Sequence, residues 1–420
     1  MTTRHRIIAA IVVCALHLAA FGPRVGEWSS VLVNDFAPQG EAVEGGDLPY
    51  RDQELEYPPF SLVPLQLPAL FGEETDGFVK AFQWEMIVFD LAIVLLLALA
   101  LPGRPREVIS ALGVYTAGVV LLSGVILDDS VIDQAPLALS RFDLVPAFLV
   151  LAAVLARDAA RSATWSALLS VATMVKAFPF LLYPALLRGE RNWRRVAVAA
   201  AVPFLVADIV VVAWGDSFFS AITYHSEREL QVESVAATPF EVASLLGAGA
   251  IPTAGHGGFD LISSGAGVAK WLWVLLGIGA YLMVVRAGWR SQVSNLRLVS
   301  ALLAVLVVFA TVLSPQFLLW LLPVSAAAYG LGRENLVLLV AVVLTQVTMQ
   351  NYADVFDNTF EGGFVWPLAA RNLFLLVYLW LVCAPILLSR REPVGERPAP
   401  GLASGSGATA AISMPKNQGR

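Results

Sequence analysis

The chain has 420 residues, 57% of them hydrophobic and 14% charged, with a formal net charge of −6. Its mean hydropathy is +0.71, and apolar runs near the ~20 residues needed to cross a bilayer recur along it, which excludes a soluble domain on a single anchor. The only cysteines, Cys14 and Cys383, each lie inside an apolar run, which argues against a disulfide framework or a Cys-based metal site.

In chain order, residues 1–6 are short and basic and residues 7–21 apolar, the pattern of a retained signal-anchor. Residues 58–71 (PPFSLVPLQLPALF) are apolar but short and proline-broken, so an interfacial segment is expected there. Apolar runs follow over 78–101, 107–127, 137–156, 164–187, 196–214, 268–285, 297–313, 316–331, 335–350 and 366–388. Basic residues orient them. Arg4 and Arg6, then Arg104 and Arg106, Arg157 and Arg161, Arg188 to Arg195, Arg286 to Arg297, and Arg390 and Arg391 mark the cytoplasmic side, with both termini inside. Residues 23–77 hold eleven acids against Arg24 and Arg51, and 215–267 hold six against Arg228, so these two long loops are expected to face outward. Residues 164–187 have basic clusters on both sides, and Lys176, Pro179 and Pro184 interrupt them. A re-entrant hairpin of two half-length helices keeps both clusters on one side; a single span with a topology exception is the alternative. The expected fold is an all-α polytopic membrane protein with about ten full spans and that hairpin. Residues 1–391 form the membrane domain, and 392–420, rich in Gly, Ala, Ser and Pro, form a disordered cytoplasmic tail.

No Gly-rich phosphate loop and no βαβ unit is present, so the chain offers no nucleotide site. Four groups of residues could carry chemistry. Asp35, about a dozen residues beyond the first span, is placed to serve as a general base at the membrane surface, though a solvated loop aspartate has the same position. Tyr50, Arg51, Asp52, Glu56 and Tyr57 combine rings and carboxylates suited to a sugar or polyol, or they form a turn closed by its own ion pairs. His225 and Arg228 are one helical turn apart if the loop is helical, and an arginine there can clamp a lipid phosphate. Glu85, Asp90, Arg141, Asp143, Lys176 and Asp208 sit at membrane depth, where ionisable groups usually face a polar cavity or each other. Lys176 reads equally as a functional cation and as half of a structural salt bridge.

Together and in order, NDF…DLPYRDQELEYPPF, RFDLVPAFLVLAAVLA, MVKAFPFLLYP, YHSERELQVES and SPQFLLWLLP resemble the family 87 glycosyltransferases. These are bacterial membrane mannosyltransferases of the GT-C superfamily, common in actinobacteria. The resemblance runs from about residue 7 to 390. It departs from the family pattern after Asp35, where no tyrosine comes before Tyr50, and at Glu229, where glycine is more usual. The resemblance implies a GT-C-like fold and a polyprenyl-phosphate donor. A sugar, typically mannose, would pass outside the cell membrane to a lipid or glycan acceptor with inversion. It implies Asp35 as the base, Arg228, His225 and Lys176 around the donor phosphate, and Tyr50, Arg51, Asp52, Glu56, Tyr57, Glu233 and Gln316 around sugar and acceptor. No cofactor follows from any motif, although the carboxylates leave room for a divalent metal, and no nucleic-acid partner is expected. A membrane transporter or lipid flippase is the rival reading; it predicts paired internal repeats, which the sequence does not show clearly.

Overall fold

The structure is a computed structural model that describes residues 3–52, 55–71, 74–124, 134–213, 228–255 and 258–388. His225 and the expected tail, 392–420, lie outside the described residues. The chain runs through α1 (Thr3–Phe21), a five-residue π turn (Leu32–Phe36), α2 (Ala37–Glu44), α3 (Leu62–Gln66), α4 (Thr75–Leu95) and α5 (Pro105–Leu122). Next come α6 (Leu144–Asp158), α7 (Ser162–Val175), α8 (Tyr183–Leu187), α9 (Trp193–Ala213) and α10 (Thr238–Ser244). A two-stranded hairpin, β1 (Ile251–Gly255) and β2 (Gly258–Ile262), leads to α11 (Ala266–Arg290) and α12 (Asn295–Val308). The rest is α13 (Leu318–Tyr329), α14 (Arg333–Gln350), α15 (Ala353–Phe356) and α16 (Gly362–Leu387).

This is an all-α polytopic membrane protein. Among the described residues, six helices are long and apolar enough to span: Thr3–Arg24, Thr75–Ala100, Pro105–Leu122, Trp193–Ala213, Ala266–Arg290 and Gly362–Leu387. About ten full spans were expected from the apolar runs, and the shortfall has a physical reason. The run 335–350 folds as α14, long enough at 18 residues but diluted by Arg333, Glu334, Asn335, Gln346 and Gln350. The runs 137–156, 297–313 and 316–331 fold as α6, α12 and α13, of 15, 14 and 12 residues. These helices are buried almost all round, so they are apolar to meet protein, not lipid. Pro136 and Pro315 end the preceding loops in short 3₁₀ turns and delay the helices behind them. The outer helices show the opposite pattern, with only 11% of the most apolar stretch of α11 and 22% of that of α9 buried.

The segment 162–190 turns back on itself. α7 ends at Val175, and Lys176 is extended (φ −153°, ψ 129°). The chain then returns through a 3₁₀ turn (Phe178–Leu182) and α8. Ser162 Oγ donates to both oxygens of Glu190 at 3.1 Å, Trp165 Nε1 reaches Glu190 at 3.3 Å, and the hydroxyls of Ser170 and Tyr183 meet at 2.6 Å. Entrance and exit of the hairpin lie side by side, as the flanking arginines favour. Residues 58–71 form only brief turns, Pro59–Ser61, α3 and Pro68–Phe71, interrupted by their prolines.

Membrane-depth charges are mostly paired, as burial demands. In the seam of α1, α4 and α5, Asp90 accepts the Tyr115 hydroxyl at 2.6 Å and meets His17 Nδ1 at 2.5 Å, while His17 Nε2 lies 2.8 Å from Thr116 Oγ1. Asp143 holds Lys176 at 2.7 Å. Glu85 keeps one buried oxygen without a partner among the described residues, and Asp208 is exposed on α9.

Candidate active site

A cavity of about 990 Å³ lies where the short inner helices stop. Its lining includes Ser140 and Arg141 just before α6, Ser314 to Gln316 just before α13, Ser123 and Gly124 just after α5, and Gln346, Met349 and Tyr352 at the end of α14. The N-terminal ends of α6 and α13 therefore border it, and the positive ends of their helix dipoles favour anions.

Asp35 enters the cavity from the π turn Leu32–Phe36. A π turn packs an extra residue into the helix and re-aims the side chains around it. Here Leu32 and Phe36 are buried while Asn34 and Asp35 are exposed. Pro38, two residues on, fits the first turn of α2, where no backbone N–H is needed.

Arg228, Gln231 and Glu233 come from a short segment beside the hairpin. Val232 N–H donates to Phe259 at 3.0 Å and Leu261 N–H to Leu230 at 2.7 Å, so Gln231 bridges to Asp260 of β2, and the chain then turns at Val232 and Glu233. Gln231 N–H also donates to Thr311 at 2.9 Å, which ties this segment to the loop before α13. Arg228 is 7% exposed and its Nη1 lies 3.6 Å from Glu56 Oε2. The Glu233 carboxyl is buried. Oε1 accepts the Tyr352 hydroxyl at 2.7 Å and Oε2 has no partner among the described residues. Its backbone carbonyl accepts from Arg371 of α16. Burial pushes the Glu233 carboxyl above the usual range, against the lowering effect of the Tyr352 bond. Behind it, fully buried Glu241 has no partner on either oxygen among the described residues; burial, and then the charge of Glu233, push it well above the usual range.

Glu56, Tyr57 and Gln316 complete the wall. The Tyr57 ring meets Phe142 edge-on at 4.8 Å, and burial, then Glu56, push its phenol up. The structure thus brings together Asp35, Glu56, Tyr57, Arg228, Glu233 and Gln316 from four separate stretches of chain.

Five of the expected site residues stand elsewhere or fall outside the description, His225 being the one outside it. Tyr50 is buried at φ 68° and its hydroxyl donates to the Tyr57 carbonyl at 2.6 Å, so it supports Tyr57 from behind. Arg51 and Asp52 form an exposed pair at 2.9 Å, and Asp52 also accepts the Leu48 N–H at 2.9 Å. The 48–52 turn is closed by its own bonds and does not line the cavity. Lys176 does not line it either, being committed to Asp143. Sequence reasoning passed over Arg24 and Glu27, which pair on the cavity wall, and Tyr352 with Met349 and Phe356. The signal for the last group was a polar, aromatic interval (NYADVFDNTFEGG) between two apolar runs. Among the described residues, no group of three His, Cys, Asp or Glu side chains is arranged to hold a metal ion.

Residues 55–315, more than half of the chain, match glycosyltransferase family 87. No curated protein matches it.

Proposed function

Because the chain belongs to glycosyltransferase family 87, we propose that it moves a sugar, in the first instance mannose, from a polyprenyl-phosphate donor to a lipid or glycan acceptor at the outer face of the cell membrane. Asp35 takes the proton of the acceptor hydroxyl. The acceptor oxygen bonds to the anomeric carbon as the bond from that carbon to the phosphate oxygen breaks. Polyprenyl phosphate leaves with the electron pair, its charge met by Arg228, with His225 as the further candidate for that role, and the anomeric centre inverts. Glu56, Tyr57, Glu233 and Gln316 hold hydroxyls and a sugar face.

The observation that carries this reading is the shared cavity, in which the candidate base, a buried arginine and the hydroxyl-binding groups line one space. Both acid-rich loops expected to face outward contribute to it.

The test is transfer from radiolabelled polyprenyl-phosphate mannose in membranes with and without the protein, with Asp35→Asn alongside and with EDTA added in one arm. A labelled product that needs the protein and falls by ~10²-fold or more in the Asn form is expected. Full activity of Asp35→Asn refutes the base. No product from mannose but product from a lipid-linked pentose changes the sugar, and no product from either refutes the donor class.

A further inference from the structure

Behind the cavity wall, one buried ion pair gathers segments far apart in sequence. Asp143 Oδ1 accepts from Lys176 Nζ at 2.7 Å and from Trp320 Nε1 at 2.6 Å. Asp143 is 1% exposed and the Lys176 side chain 12%. Four rings enclose the ammonium, with centroids at 5.2 Å for Tyr57 and Phe142, 5.3 Å for Trp320 and 5.6 Å for Phe317. Trp320 is sandwiched between Phe178 at 3.9 Å and Phe317 at 4.0 Å. Phe142 carries Phe36 at 5.8 Å and the edge of Tyr57 at 4.8 Å. Several of these rings belong to the cavity wall or adjoin it: Tyr57 and Phe36 line the cavity, Phe142 follows Arg141 and Phe317 follows Gln316, while Trp320 and Phe178 stand behind them.

We infer that the Lys176–Asp143 pair in its aromatic box is a positioning device that sets the register of the wall bearing Asp35, Tyr57, Arg141 and Gln316, and that Lys176 is not a ligand for the donor phosphate. To reach a phosphate the ammonium would have to leave both its carboxylate and the four rings that face it. A buried pair adds little net stability but breaks badly when one partner is removed, which suits a registry role. The inference rests on the cavity being the transfer site, where a misplacement of ~1 Å costs about 10²-fold.

The test compares Lys176→Met, Asp143→Asn, the double variant and Trp320→Phe as purified full-length protein. Transfer is read with polyprenyl-phosphate mannose, binding with undecaprenyl phosphate, and folding by thermal unfolding. Lys176→Met should lower kcat by about 10²-fold with donor KM and undecaprenyl phosphate affinity within about twofold. The double variant should be no worse than the worse single one, because the two groups act as a unit. Trp320→Phe, which keeps the ring and drops the N–H, should give a smaller loss of the same kind. A raised donor KM, lost undecaprenyl phosphate binding, additive losses, or full kcat in folded Lys176→Met overturns the inference. If the wild type transfers no mannose, the donor reading fails by itself. Nitration of Tyr57 by tetranitromethane, mapped by peptide mass, then decides the positioning role without substrate: it rises in Lys176→Met if the box holds Tyr57, and an unchanged level overturns it.

Discussion

Tyr352→Phe isolates one hydrogen bond at the candidate site. The ring stays packed edge-on to Phe364 at 5.3 Å and to Phe259 at 5.9 Å, so only the hydroxyl is lost. That hydroxyl is the partner of Glu233 Oε1 at 2.7 Å, and Oε2 has none among the described residues. Removing it leaves a carboxyl that is 4% exposed without a side-chain donor. An unsatisfied buried polar group costs ~1–3 kcal/mol, and here that cost falls on the ionised form. The direction follows from the charge. The bond favours the ionised form, so its loss adds to the upward push that burial already exerts on Glu233. The acid limb of the transfer rate against pH should therefore move alkaline. The fold favours the neutral carboxyl, so stability is fully present at low pH and is lost as pH rises through the folded-state value. The variant's thermal midpoint should thus fall further below wild type near pH ~8 than near pH ~5. The assays are transfer from polyprenyl-phosphate mannose across that range and thermal unfolding at its two ends. An unmoved acid limb together with equal midpoint shifts at both ends would refute the reasoning.

Glu241→Met should raise stability by ~1–3 kcal/mol, because neither oxygen of the fully buried carboxyl has a partner among the described residues. The gain should grow as pH rises above the ordinary carboxyl range of ~4.3; a lower midpoint at alkaline pH would instead show that Glu241 is ionised beside Arg371. Gly277→Ala should cost ~1–3 kcal/mol in thermal unfolding, since a Cβ there meets Phe309 Cβ at 2.7 Å and Cγ at 3.1 Å, atoms that cannot swing away. Gly113→Ala, with nothing within 4 Å, should instead stabilise its helix. Arg51→Ala should leave both transfer and the thermal midpoint at wild-type values, because the Arg51–Asp52 pair is exposed and off the cavity; lost transfer would return the 48–52 turn to acceptor binding.

The outer helices were legible because a lipid-facing helix has one requirement, an unbroken apolar run of sufficient length. α4, α9, α11 and α16 start and stop within a few residues of their runs. The inner helices were misjudged in length, since apolarity cannot distinguish a lipid neighbour from a protein neighbour. Only Pro136, Arg141, Pro315 and Gln316 hinted that those helices begin late. The hairpin at 162–190 was one of two readings that charge left open, the other being a single span with a topology exception, because the arginine bias is a tendency and only the fold decides between them. At the site, the individual stretches carrying Asp35, Arg228 and Glu233 were visible, but their convergence depends on contacts across the fold. The bridge of Gln231 to β2 and the hold of Arg371 on the Glu233 carbonyl leave no trace in local spacing. Lys176 was visible as an anomaly, and its partner Asp143 as another. What joins them is a box of four rings from three segments, which no single segment announces.

The brevity of the inner helices has a volumetric consequence. α13, with 12 residues, is ~18 Å long at 1.5 Å per residue, about 12 Å less than the ~30 Å a hydrocarbon slab demands. Two turns are missing, and the ring of longer helices around it does not contract to fill the gap. The chamber is the volume of those absent turns. Its ceiling is made by loops and the β-hairpin, and its floor by helix ends. Adding a turn to α13 at Pro315 would lengthen no crossing; it would plug the chamber from below.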